Sequence, residues 1–111
     1  MIRVRVDRER HTKRVTGFRV EGHALFAESG KDIVCAGVSA VTVGTVNAAE
    51  AVLGVELSTV MESGLLDVTV PDDLPEPTSA SLQLQLESMV VMLQTIEQSY
   101  GNHIRLKVKY K

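Results

Sequence analysis

The sequence has little that could cross-link a small fold. It contains 111 residues, with one cysteine, no tryptophan and only four phenylalanine or tyrosine residues. A single cysteine excludes an intramolecular disulfide framework and a zinc site built on paired cysteines. Because 44% of the residues are hydrophobic, we expect an aliphatic core to hold residues 1–111 together as one domain.

Secretory signals and clear membrane spans are also missing. The start of the chain, MIRVRVDRERHTKR, carries charges at nearly every other position and lacks an apolar core. The longest uncharged run, residues 33–49, has 17 residues and includes Ser, Thr and Asn, whereas a span needs roughly 20 predominantly apolar residues. We therefore expect a cytoplasmic protein with a reduced thiol, a buried helix in this run and no membrane partner.

Positive charge is absent from the middle of the chain. Residues 32–99 contain ten acidic residues and no Lys or Arg, while residues 1–31 and 100–111 each have a net charge of +4. The basic ends lack the interleaved aromatic residues of proteins that bind single-stranded nucleic acid. Solvated strand faces are therefore the preferred interpretation, and nucleic acid is not expected as a partner. The acidic middle would suit a basic peptide or protein.

Alternation of apolar and polar residues predicts five strands. The predicted strands are residues 2–7, 15–21, 57–61, 65–70 and 104–110. A polar turn, residues 8–13, would join the first two strands in a hairpin. The short turn Glu62-Ser63-Gly64 would join the next two in a second hairpin.

Two helices are predicted between these strands. Asp32 and Gly54 bracket residues 33–53 as N-cap and stop signals. The segment is rich in Val and Thr, which favours a strand, but its length far exceeds that of an ordinary strand. Thr78 or Ser79 is expected to cap a second helix, whose apolar residues recur at spacings of four and three. The expected α+β fold has two helices packed on a mainly antiparallel sheet, in the order ββαββαβ.

The residues that carry chemistry lie just before and within the first predicted helix. A cysteine is a nucleophile when deprotonated, and Cys35 falls in the first helical turn, which stabilises an anion by about 0.3–1 kcal/mol. A tenfold gain in thiolate requires roughly 1.4 kcal/mol, so a further group, an imidazolium, is needed. His23 follows Gly22 at the end of the second strand. The loop of residues 24–31 is long enough to bring His23 over the helix start.

Each of these residues also has a structural interpretation. Cys35 alone would most often be a small buried hydrophobe, and His23 a structural residue at a strand end. Asp32 fits an N-cap more directly than an orienter of His23. Ser39 lies on the same helical face as Cys35. Its hydroxyl would either bond back to the Cys35 carbonyl or support the thiolate or the substrate.

A combination of short motifs resembles the signature of the ribosomal-processing cysteine protease family, Prp. The motifs are Glu21-Gly22-His23-Ala24, a later Gly30, Asp32-Ile33-Val34-Cys35-Ala36 and Val38-Ser39-Ala40. Motif spacing, length and element order extend the resemblance over nearly the whole chain. The resemblance implies a homodimeric cysteine endopeptidase that removes the N-terminal extension of the bacterial twenty-seventh large-subunit ribosomal protein. No cofactor or metal is expected.

The resemblance and the residue chemistry together give a set of expected site residues. They are the catalytic dyad His23 and Cys35, the supporting residues Gly22, Asp32 and Ser39, and Ala24 and Gly30 in a mobile loop that closes over the substrate. The alternative is a non-catalytic adaptor, whose acidic middle binds a basic ribosomal protein while Cys35 is merely packed.

Overall fold

Burial alternates along the first strand and separates an apolar face of the sheet from a polar one. In the computed structural model, which describes all 111 residues, β1 (Ile2–Arg8) buries Ile2, Val4 and Val6 and exposes Arg3. The buried side chains join a single core cluster with apolar residues of both helices. The helices therefore cover the apolar face of the sheet.

The five strands form one sheet in the order β3-β4-β2-β1-β5. The other strands are β2 (Val15–Glu21), β3 (Ser58–Glu62), β4 (Leu65–Thr69) and β5 (Ile104–Tyr110). Both predicted hairpins are confirmed, and only the pairing of β1 with β5 is parallel. The predicted bounds were wrong by one residue at both ends of β3 and at the C-terminal ends of β1 and β4.

The first helix, α1 (Ile33–Leu53), has the predicted bounds. Asp32 is its N-cap, and Gly54 at its C-terminus has φ +68° and donates its backbone N–H to the Glu50 carbonyl. Only four of its 21 residues are buried. By length and composition α1 also suits a membrane span, which is weak evidence because core helices of soluble proteins meet the same criteria.

The second helix, α2 (Glu76–Tyr100), begins earlier than predicted. The expected caps Thr78 and Ser79 were wrong, since both lie inside the helix and the Ser79 N–H donates to the Pro75 carbonyl at 2.8 Å. Pro77 is tolerated in the first turn because its missing N–H would have no helical partner there. The predicted apolar ladder is buried at Leu82, Leu86, Met89 and Leu93.

The sheet register brings three separate segments together at one end of the molecule. Glu21, the last residue of β2, pairs with Leu65, the first residue of β4. The end of β2 therefore lies beside the turn between β3 and β4. The chain then runs through residues 22–32 to the N-terminus of α1.

Candidate active site

Cys35 is the third residue of α1, as the predicted helix start requires. Its side chain is half-buried. The backbone N–H of Ala24 donates to the Cys35 Sγ at 3.3 Å. A thiolate accepts such a hydrogen bond more strongly than a neutral thiol, because charge-assisted hydrogen bonds are the stronger ones. The residue that follows His23 in the chain therefore lies directly against the sulfur.

Asp32 acts as an N-cap and as an anchor for the loop before it. Its Oδ1 accepts the backbone N–H groups of Val34 and Cys35, each at 3.0 Å. Its Oδ2 accepts those of Phe26 at 3.0 Å and Ala27 at 3.3 Å. These hydrogen bonds, the one from Cys35 first, lower the pKa of the Asp32 carboxyl. The cap interpretation is confirmed, whereas no hydrogen bond joins Asp32 to His23.

His23 is held where β2 ends. Gly22 has φ +90°, and a Cβ there would overlap the carbonyl oxygen of Met1, so only glycine fits this close approach. The imidazole is exposed and makes no hydrogen bond within the chain. It lies against Gly64 in the turn between β3 and β4.

A groove runs over both predicted catalytic residues. It consists of a hollow of about 590 Å³ and a smaller one of about 200 Å³, and both are lined by His23, Cys35 and Ser39. Residues 24–31, the loop wall, flank the larger hollow, and residues 61–66, the hairpin wall, flank the smaller one. The combined volume is in the range of ordinary ligand sites, and an open groove of this kind can accept an extended peptide.

The loop wall contacts the rest of the molecule through a small aromatic cluster. The Phe26 ring packs edge-on against Tyr100 and His103, with centroid distances of 5.5 Å and 5.3 Å. The His103 Nδ1 lies 2.9 Å from the Ala24 carbonyl oxygen. A carbonyl only accepts, so Nδ1 carries the proton in this contact. Sequence reasoning missed this cluster because Phe26 is more than 70 residues from the other two members and the three match no motif.

Ser39 faces the groove with its hydroxyl unbonded. It is exposed and lines both hollows. The hydroxyls of Thr42 and Thr45 bond back to carbonyls four residues earlier in α1, but that of Ser39 makes no such bond. The alternative of a bond to the Cys35 carbonyl is therefore not realised, and the hydroxyl remains available to a substrate.

Among the acidic, histidine and cysteine side chains, no group of three or more is arranged to hold a metal ion. The groove contains a thiol at a helix N-terminus and an imidazole that lines the same two hollows. In nucleophilic catalysis a thiol–imidazole pair of this kind attacks carbonyl carbon. The class that the fold and the groove define is a cysteine hydrolase.

Comparison with known proteins identifies the family. Residues 1–105 match the family model described as cysteine protease Prp. The chain is 40% identical over 101 residues to the ribosomal processing cysteine protease Prp of Bacillus subtilis, covering 89% of this chain and 90% of that protein. The Staphylococcus aureus protein of the same description is 38% identical over 103 residues, covering 86% and 89%.

A solved structure agrees with these sequence matches. The crystal structure of an essential ribosomal processing protease Prp from S. aureus, in complex with a covalently linked product peptide, has a TM-score of 0.88 and 36% identity to this chain. The match covers 98% of this chain and all of the S. aureus chain. The chain belongs to the Prp family of ribosomal-processing cysteine proteases. It is an enzyme, and the non-catalytic adaptor is not supported.

Proposed function

We propose that this protease removes the N-terminal extension of the bacterial twenty-seventh large-subunit ribosomal protein during ribosome assembly, with Cys35 as nucleophile and His23 as general base and acid. The observation that carries the proposal is the groove in which both side chains line the same two hollows. The relatives named ribosomal processing proteases, one with a covalently linked product peptide, support the same reaction.

The reaction follows from the chemistry of a thiol beside an imidazole. His23 accepts the proton of the Cys35 thiol, and the sulfur forms a bond to the scissile carbonyl carbon. The C–N bond then breaks, and the amine leaves with the proton that His23 returns. Water attacks the resulting thioester while His23 takes one of its protons, and the C–S bond breaks. His23 returns this proton to the sulfur, and the new carboxylic acid leaves and loses its own proton to solvent.

Most backbone N–H groups at the start of α1 are already used within the chain. Such groups are otherwise candidates to stabilise the oxyanion of the reaction. Those of Val34 and Cys35 already donate to the Asp32 carboxylate, and that of Ala36 donates to the Asp32 carbonyl. The Ala24 N–H, which contacts the sulfur, is therefore the proposed donor beside the reacting atom.

Mass spectrometry of the ribosomal protein, before and after incubation with the enzyme, tests the proposed substrate and nucleophile together. The wild type should produce the shortened protein and the free extension peptide, whereas Cys35→Ala should leave the precursor intact while folding normally. Thr45→Ala, on the same helix but outside both hollows, is the matched control and should retain cleavage. Undiminished cleavage by Cys35→Ala would overturn the mechanism.

We further propose that acidic side chains at the groove steer a basic substrate. Glu62 lines the smaller hollow and has no ion-pair partner, whereas Glu28 on the loop wall pairs with Lys31 at 3.0 Å. Screening by salt should therefore raise KM. Glu62→Gln is expected to raise KM by about twofold and to flatten its salt dependence, and Asp73→Asn, exposed and outside both hollows, to change neither. A KM that is independent of ionic strength would exclude steering.

A homodimer is proposed on the same family basis. The helix α1 carries no charged residue from Ile33 to Ala49 and buries only four side chains within the chain. Ile33 and Val52 remain 58% and 71% exposed. A second copy would cover such a face. Analytical ultracentrifugation should give twice the mass of the chain, and a monomer at all concentrations would contradict it.

We also propose that the enzyme works in the cytoplasm without a membrane or nucleic-acid partner. The half-buried, unpaired thiol of Cys35 supports a reducing compartment. Cell fractionation with an antibody should recover the protein in the soluble fraction, and nuclease or salt treatment should not change its distribution. Recovery with membranes would contradict this location.

A further inference from the structure

The turn between β3 and β4 consists of Ser63 and Gly64, flanked by the paired residues Glu62 and Leu65. Gly64 has φ +70°, a left-handed conformation that glycine adopts without a steric penalty. Hairpin turns commonly require such a residue. A structural role in the turn is therefore sufficient to explain glycine here, and any further role must come from what surrounds it.

The sheet register places this turn beside the proposed general base. Glu21 pairs with Leu65, so the next residues of the two strands, Gly22 and Gly64, face each other. The Gly22 N–H donates to the Gly64 carbonyl at 2.9 Å. His23 follows immediately, and its position is therefore tied to the hairpin wall through the backbone.

The imidazole of His23 rests on Gly64 itself. A Cβ built on Gly64 would lie 2.9 Å from Nε2, 3.4 Å from Cε1 and 3.6 Å from Cδ2 of His23. The first of these distances is well inside van der Waals contact for carbon and nitrogen. The ring thus occupies the space that any other residue at position 64 would need.

No hydrogen bond orients the ring. His23 is exposed, neither ring nitrogen takes part in a hydrogen bond, and the oxygens of Asp32 accept backbone N–H groups instead. Catalysis by a general base depends on its placement within hydrogen-bond reach of the proton it takes. An unbonded ring keeps that placement only through the surface on which it packs.

We infer that Gly64 is a positioning residue for the reaction, holding the His23 imidazole in place through the bare Cα on which the ring packs. The inference rests on the proposed role of His23 as general base. A side chain at position 64 displaces the ring from its place near Cys35. Because the ring is exposed, it can swing into solvent, so the displacement costs activity far more than stability.

Gly54 provides a matched control for this inference. It ends α1 with φ +68°, close to the φ of +70° at Gly64, but nothing lies within 4 Å of a Cβ built there. Alanine at either position therefore introduces the same backbone strain. Only at position 64 does the new methyl group meet the imidazole.

The test compares peptide cleavage and thermal unfolding of Gly64→Ala and Gly54→Ala. Gly64→Ala should lower kcat roughly 10- to 100-fold, the loss typical of a misplaced catalytic group, with KM nearly unchanged, while Gly54→Ala retains the wild-type kcat. Both should lower Tm by similar amounts. The imidazole proton resonances of His23 should shift in Gly64→Ala and not in Gly54→Ala, which a purely structural role of the turn would not produce.

Further variants separate the possible outcomes. If Gly64→Ala unfolds, Gly64→Asn and Gly54→Asn replace the pair, since Asn tolerates the left-handed region and its Cβ meets the ring equally. If His23→Ala is inactive but the variants at positions 64 and 54 have equal kcat, the positioning role is wrong. If His23→Ala retains full activity, the proposed function fails instead.

Discussion

The two walls of the groove differ in how they are held. The hairpin wall belongs to the sheet, and its backbone hydrogen bonds continue as far as Gly22 and Gly64. The loop wall has seven consecutive exposed residues, 25–31, and is held by the Asp32 carboxylate, the aromatic cluster and the hydrogen bonds of Ala24. Segments with few buried contacts open at lower free-energy cost than those in a sheet. We therefore expect one wall to be fixed and the other to move.

Removal of the Asp32 carboxylate should have the largest effect on the difference in mobility between the two walls. Asp32→Ala removes the hydrogen bonds to two loop amides and two helix amides, so both the loop wall and the position of Cys35 loosen. We expect kcat/KM to fall roughly 10- to 100-fold. Hydrogen exchange should accelerate at the Phe26 and Ala27 amides and stay unchanged at Gly22.

Asp73→Ala is the control for this variant, because Asp73 is exposed and makes no hydrogen bond. It should match the wild type in both measurements. Faster exchange throughout the hairpin wall in Asp32→Ala would show that the two walls are one unit.

Acid should open the loop wall reversibly. The pKa of Asp32 lies below its ordinary value because backbone N–H groups, that of Cys35 first, bond to the carboxylate. The stabilisation is therefore fully present above the ordinary Asp pKa and is lost as pH falls through the lowered value. Amide resonances of Phe26 and Ala27 should lose protection in this range while that of Gly22 keeps it. Equal loss at all three would contradict separate walls.

The smallest effect is expected at the aromatic cluster. Phe26→Ala removes two edge-on contacts, and since Phe26 is 43% exposed, each is worth about 0.5 kcal/mol, the lower end for aromatic pairs. KM should rise by about 2- to 5-fold, and limited proteolysis should cut the loop wall faster. Phe26→Tyr keeps the ring and should restore both values. Proteolysis of Phe26→Ala at the wild-type rate would show that the aromatic cluster does not hold the loop wall.

The difference between local and long-range contacts explains which features the sequence could predict. The strands and α1 lie within short segments whose alternation and caps are local, so their positions follow from nearest neighbours in the chain. The proposed dyad residues likewise lie in short local motifs. The start of α2 was wrong because Thr78 and Ser79 have the side chains of caps, while the helix begins through proline geometry at Pro75 and Pro77.

Local sequence patterns could not predict the contacts between distant parts of the chain. The ring contacts of Phe26 with Tyr100 and His103 join residues that are 74 or more positions apart in the sequence. The contact of His23 with Gly64 depends on the pairing of β2 with β4, which no motif encodes. The sequence allowed Asp32 to be an N-cap or a residue that orients His23. Only the hydrogen bonds of its two carboxylate oxygens distinguish these roles.

The central claim is that His23 activates the Cys35 thiol across the groove. The rate at which iodoacetamide alkylates Cys35 tests it most directly, because the chain has one cysteine and the intact mass reports its modification. Activation by His23 predicts rapid alkylation of the wild type well below pH 8 and a much slower reaction in His23→Ala. His11→Ala should be unaffected, since His11 is exposed in the turn between β1 and β2 and lines neither hollow. Equal rates in the wild type and His23→Ala would contradict it.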